Sequence, residues 1–168
     1  ADDCSLTVRP DALGFSGDEL ARALHRPPTR VVLDSKGRLP NGAKVLSANA
    51  PTLVITATGE KPAMPVPHRT ATHNGEGLDL QDILKGIGSD GANEILIESG
   101  PALAAAFLKA GLVDELLIYQ APTLLGSSAR PLADLAFSEL KDGIQLAYQE
   151  VSPMGSDMRI IAAVLKGN

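Results

Sequence analysis

Apolar residues recur along this chain in two rhythms, and together they predict a string of short strands and helices. Val31, Val32 and Leu33 run without a polar break inside Arg30 to Asp34, which predicts a strand buried on both faces, as in a parallel sheet. TLVIT, within Pro51 to Ala57, predicts a second strand. Val66 is a weaker extended candidate in the proline-rich piece Lys61 to His68. From Leu78 to Ile87 the rhythm changes. Leu80, Ile83, Leu84 and Ile87 recur at helical spacing, with Asp79 near the start and Gly88 after the end. The connector Asp11 to Thr29 is poor in apolar residues, and Asp18 to His25 holds a helical turn or two.

The stretch Glu94 to Gly126 is the organising unit. Ile95, Leu96 and Ile97 predict a buried strand closed by Glu98. Ser99 and Gly100 make a tight turn, and Pro101 takes the first helical position, where its missing N–H costs nothing. The helix, Ala102 to Ala110, sends Leu103, Phe107 and Leu108 towards a core and stops at Gly111. A further strand, Glu115 to Gln120, follows at once. After the turn-rich APTLLGSSARPLADL, Ile144 to Val151 and Asp157 to Leu165 form two β-like runs joined by Ser152 to Ser156, an antiparallel hairpin at the sheet edge. The order predicts an α/β fold with a mostly parallel sheet flanked by helices and an antiparallel C-terminal edge.

Composition narrows the function classes. The net charge is −5 and aromatic residues make up only 3% of the chain. Neither a basic stripe for a phosphate backbone nor a set of stacking rings for exposed bases is supplied, so nucleic acid is not an expected partner. Cys4 is the single cysteine, which excludes an internal disulfide and fits a reducing, cytoplasmic setting. No apolar run reaches the length of a membrane span, and no signal peptide is expected. His25, His68 and His73 lack metal-ligand spacing, so no metal site is expected.

Candidate chemistry gathers at a few points. A helix N-terminus offers unpaired N–H groups and partial positive charge to an anion. The turn at Gly100, followed by Ala104 to Ala106, would let a ligand approach the backbone. By spacing alone this is either a candidate anion site or a plain strand-to-helix corner packed with small residues, the commoner use. There is no G-x-G-x-x-G fingerprint. Ser35, in the polar loop Asp34 to Gly37 after the first strand, can hydrogen-bond a phosphate or merely satisfy a turn. Asp2 and Asp3, with Arg9, are either a solvated terminus or a site that grips phosphate.

Three segments, ADDCSLTVR, RVVLDSKGRLP and IESGPALAAAFLKAGLVDELLIYQAPTLLG, resemble the C-terminal reductase domain of the bifunctional riboflavin-biosynthesis deaminase/reductase. The resemblance covers nearly the whole chain. It implies a dihydrofolate-reductase-like fold, NADPH as cofactor, and reduction of the ribosyl group of a phosphoribosylamino-pyrimidinedione to a ribityl chain. It assigns Asp2 and Ser35 to the NADPH site, Leu6 and Arg9 to substrate, and Glu98 to substrate as a binding acid. Gly100, Pro101, Ala102, Leu103, Ala104, Ala105 and Ala106 take the place of the turn and helix start that hold NADPH phosphates, although this stretch often contains threonine and glycine in the family. Asp2 or Glu98 is then the catalytic candidate, assisting ring opening or stabilising a cationic imine.

Family domains begin with a strand, a helix and a strand before the ADD segment, and a zinc deaminase domain precedes those. The expectation is therefore a single reductase domain over residues 1–168 that lacks its front part, with a homodimer as the assembly. Two alternatives stay open: another reductase of the same fold acting on a pterin- or pyrimidine-like substrate, and a non-catalytic binding or assembly module.

Overall fold

A computed structural model describes residues 16–25, 27–57, 59, 66–75 and 77–166. The chain divides into two compact units, residues 1–90 and 91–168. In the first, helix α1 (Gly17–His25) is followed by strands β1 (Arg30–Leu33), β2 (Thr52–Ala57) and β3 (His68–Ala71) and helix α2 (Leu80–Ser89). The strands form a parallel sheet in the order β1-β2-β3, with Val32 opposite Val54 and Ile55 opposite Arg69. Ile55, fully buried on the central strand, packs in one cluster with Ala71, Leu78, Ile83 and Ile87, so α2 lays its apolar stripe on the sheet. The Asp79 carboxylate caps α2 by accepting the Asp82 N–H at 3.0 Å.

A buried arginine fixes the passage from β1 to β2. Arg30 donates from Nη2 to the carbonyls of Ser47 and Ala50, and from Nη1 to Ser47 Oγ at 3.3 Å. Thr52 adds a bond from its hydroxyl to the Val45 carbonyl at 2.8 Å. These contacts satisfy the carbonyls of a segment that has no strand of its own, only the short 3₁₀ turn Lys44–Leu46.

The second unit contains helix α3 (Pro101–Lys109), strand β4 (Glu115–Gln120) and the hairpin of β5 (Leu146–Met154) and β6 (Asp157–Val164). Its strands form an antiparallel sheet in the order β4-β6-β5. Pro101 opens α3 and Gly111, at φ +65°, closes it by donating to the Leu108 carbonyl, as the sequence predicts.

The α/β class stands, while several details change. The strands fall into two three-stranded sheets, one wholly parallel and one wholly antiparallel. The run Ile95 to Ile97, predicted as a buried strand, is not one: Ile95 is 41% exposed and Leu96 71%. The physical reason is the missing neighbour, because among the described residues no backbone group of 94–99 makes a hydrogen bond to another backbone group. The third parallel strand begins at His68, past Val66. Its polar HRTA sequence carries no apolar rhythm, and it is held by the ladder to β2 and by a 2.7 Å contact between Thr56 Oγ1 and His68 Nε2. Helix α2 runs through Gly88 to Ser89 instead of stopping before it. The hairpin turn is tighter than Ser152 to Ser156, since β5 extends to Met154 and Gly155, at φ +65°, makes the reversal with Ser156.

Burial sets the expected energetics. Ile55→Ala removes buried methyl groups at the centre of the first core and is expected to cost about 2–5 kcal/mol. Leu117→Ala, at a position 47% exposed, is expected to stay within about 0.5 kcal/mol of the parent. Urea denaturation of both variants checks this ranking, and equal losses would refute it.

Candidate functional site

The first predicted site residue sits at the carboxyl end of the parallel sheet. In β1 the apolar run ends at Leu33, and Asp34 continues the ladder by donating its N–H to the Ile55 carbonyl at 2.8 Å. Its side chain then turns back along the loop. Asp34 Oδ2 accepts the Leu39 N–H at 2.6 Å, and the Asp34 carbonyl accepts the Gly37 N–H at 3.2 Å. Gly37 takes φ +61°, a conformation that glycine adopts without strain. The carboxylate thereby clamps the loop closed and presents Ser35, Lys36 and Arg38 on its outside. Ser35 is half-buried, and Lys36 and Arg38 are exposed. Among the described residues neither cation has an ion-pair partner. A hydroxyl flanked by two free cations at the carboxyl end of a parallel strand is suited to a phosphate. The reading of the sequence singled out Ser35 but not Arg38. The signal available was the D-S-K-G-R run itself, a turn sequence carrying two positive charges.

The second group lies at the start of α3. Gly100 is the N-cap at φ −75°, ψ 171°, with no side-chain cap. Pro101 has no N–H, and the first intrahelical bond runs from the Ala104 N–H to the Gly100 carbonyl at 3.1 Å. The amides of Ala102 and Leu103 therefore remain open, as the geometry of a helix start requires. A Cβ placed on Gly100 would meet nothing within 4 Å, so the corner is accessible. Glu98, Ser99, Gly100 and Ala102 are all exposed. Ala105, by contrast, is buried, as is Phe107, and the amides of Ala105 and Ala106 are directed into the helical ladder. Of the predicted stretch Gly100 to Ala106, only the corner itself offers free donors. The loop after β4 reaches back to this corner, with the Asp134 N–H donating to the Pro101 carbonyl at 3.0 Å. That tether had no signal in the sequence.

Asp2, Leu6 and Arg9 lie outside the described residues. Among the described residues no group of three or more His, Cys, Asp or Glu side chains is placed to hold a metal ion. None of their helices is long and apolar enough to cross a membrane. A surface cavity of about 280 Å³ between β3 and α2, lined by Arg69, Lys85 and Ser89, includes none of the predicted site residues.

Comparison with known proteins gives this geometry its setting. The chain is 37% identical over 167 residues to the riboflavin biosynthesis protein RibD of Escherichia coli, covering 94% of this chain and 44% of that protein. It is 32% identical over 174 residues to the 2,5-diamino-6-ribosylamino-4(3H)-pyrimidinone 5′-phosphate reductase of Methanothermobacter thermautotrophicus, covering 99% of this chain and 76% of that one. The solved structure of Acinetobacter baumannii RibD superimposes with a TM-score of 0.80 at 30% identity, over 98% of this chain and 44% of that one. The chain thus spans less than half the length of the RibD proteins it matches. The sequence profile of the RibD C-terminal domain matches residues 1–160, and the chain belongs to that family.

Proposed function

We propose that this protein is an NADPH-dependent reductase of 5-amino-6-(5-phosphoribosylamino)uracil, converting its ribosyl group to the ribityl product of riboflavin biosynthesis. The observation that carries the reading is family membership, together with two relatives, covered to 69% and 76% of their length, that are named as reductases of phosphorylated ribosylaminopyrimidines. The proposal extends to residues 1–168 as a single reductase domain, a cytoplasmic homodimer, and a zinc deaminase domain in the parent protein.

Each unit, taken by itself, offers donors that suit an anionic group of such a cofactor. Ser35, Lys36 and Arg38 offer a hydroxyl and two cations without an ion-pair partner among the described residues, and the open amides of Ala102 and Leu103 offer main-chain donors. Bound NADPH would supply the hydride. The chain's own tasks are to hold the substrate and to manage protons as the sugar ring opens. In this reading Leu6 and Arg9 contact substrate and Arg9 holds its phosphate, Asp2 touches the cofactor, and Asp2 or Glu98 moves the proton or stabilises the cationic imine. The exposed Glu98 carboxylate stands two residues before the helix-start corner, within the same Glu-Ser-Gly-Pro turn.

Cofactor choice tests the reading directly. The protein is expected to bind NADPH more tightly than NADH by fluorescence titration and to oxidise NADPH when given the pyrimidine substrate. Changing Lys36 and Arg38 together to alanine is expected to weaken NADPH binding by about tenfold or more, since each 1.4 kcal/mol of lost phosphate contact is tenfold, and to leave NADH binding unchanged. Equal losses for both cofactors would place the two cations elsewhere in the chemistry.

Glu98→Gln separates proton transfer from binding. A catalytic carboxylate predicts a fall in kcat of about 100-fold or more. Unchanged kcat with a raised KM would make Glu98 a positioning group for substrate.

A further inference from the structure

Residues 73–75 and 77, ahead of α2, bring two hydrogen bonds to the Asn74-Gly75 pair, one on the Gly75 N–H and one on the Asn74 side-chain oxygen. Asn74 precedes Gly75 in the sequence, and both are exposed. The Gly75 N–H donates to His73 Nδ1 at 3.1 Å, so the imidazole presents its unprotonated nitrogen to that amide. The Gly77 N–H donates to Asn74 Oδ1 at 3.0 Å, and the Asn74 N–H donates to the Gly77 carbonyl at 2.9 Å. Gly75 has φ +93°, and a Cβ built on it would meet nothing within 4 Å. The nucleophile for a cyclisation therefore has a base on its proton, a donor on the oxygen that would take up charge, and no side chain hindering approach.

We propose that Asn74-Gly75 is a self-modifying site, at which the folded loop accelerates conversion of Asn74 to aspartate and isoaspartate. The Gly75 nitrogen bonds to Asn74 Cγ while its proton passes to His73 Nδ1, and the negative charge that develops on Oδ1 is held by the Gly77 N–H. The tetrahedral centre collapses by breaking the Cγ–Nδ2 bond. Ammonia departs with the proton returned by the imidazolium, leaving a cyclic imide. Water opens the imide at either carbonyl, giving aspartate in one case and, in the other, a backbone that runs through the former side chain. Nothing is oxidised or reduced. Proximity matters here, because nucleophile, base and donor are all supplied by adjacent residues of one loop.

The consequence is local. The loop also holds the His73–Leu78 bridge and the bond from the Asp79 N–H to the Thr72 carbonyl at 2.9 Å, which together aim the buried Leu78 into the first core and set the cap of α2. An extra methylene in the main chain at position 74 would disturb both.

The test is to age the intact protein at neutral pH beside a synthetic peptide spanning residues 70–80. Peptide mapping follows the amide-to-acid mass change, and isoaspartate is detected by enzymatic methylation. The folded protein is expected to convert at Asn74 faster than the peptide. His73→Ala is expected to slow the protein by about 100-fold, the low end of what a positioned base contributes, and to leave the peptide little changed. A folded protein that converts more slowly than the peptide would overturn the proposal, whatever the variant does. So would a His73→Ala protein, shown by circular dichroism to be folded, that ages at the parent rate.

Discussion

The hydrogen bond from the Leu39 N–H to the Asp34 carboxylate, 2.6 Å long, is the constraint on which the loop carrying Ser35, Lys36 and Arg38 rests. Parallel strands place their carboxyl ends along one edge of the sheet, and whatever leaves that edge must satisfy its own backbone groups. Asp34 does so twice, through its N–H to Ile55 and through its side chain to Leu39. Because the residue is nearly buried, its carboxylate would be costly to leave unpaired, and the loop amide meets that requirement. The closed loop in turn lets Lys36 and Arg38 stay exposed on a defined backbone, with no ion pair to another described residue. A flexible loop with the same two charges would lose more conformational entropy on gripping a phosphate.

How much of this was legible depends on where the physics is local. The run Val31, Val32, Leu33 announced a parallel strand, and β1 is one, but burial on both faces does not follow: β1 is an edge strand and all three side chains are only half-buried. Asp79, Pro101 and Gly111 marked helix ends because capping is settled within a few residues. The strand at His68 was not legible, since at the sheet edge the backbone ladder needs no apolar side chain to hold it. The segment Ile95 to Ile97 misled for the complementary reason. Its apolar alternation states a preference for burial, but a strand forms only when another strand pairs with it, and that depends on distant parts of the chain. Of the candidate site, Ser35 and the corner at Gly100 could be named from the sequence. The Asp34–Leu39 clamp and the tether from Asp134 to Pro101 could not, because each joins groups whose meeting depends on a backbone path.

The second unit shows a different balance. Its hairpin is set by the two-residue reversal at Gly155 and by the pairing of β5 with β6, with a register shift between Tyr148 and Glu150. Across that pairing Arg159 meets Glu150 at 2.5 Å, and this hydrogen bond holds the Glu150 carboxyl below its ordinary range. Such an ion pair, open to water, contributes little to stability. Several large apolar residues of the unit, among them Leu96, Leu124, Leu125 and Tyr148, stay exposed. They sit beside the unpaired backbone of 94–99 in sequence or in the same unit, so this half of the chain has more apolar surface and more open hydrogen-bonding groups than its own residues cover.

The composition of Gly100 to Ala106 becomes intelligible once the donors are identified as main-chain groups. If anion binding at α3 depended on side chains, replacing threonines by alanines would remove it. The open amides of Ala102 and Leu103 exist because a helix start leaves them without carbonyl partners, and that follows from position rather than side-chain identity. At Gly100 the backbone is extended and a Cβ would meet nothing within 4 Å, so the corner stays open whatever stands there, while Pro101, with its fixed φ, holds the first turn in place. Ala105 answers to another demand, the close packing on the inner side of the helix. A stretch of alanines is thus compatible with anion binding here, since the outer side of the corner acts through its backbone and the inner side through its small volume.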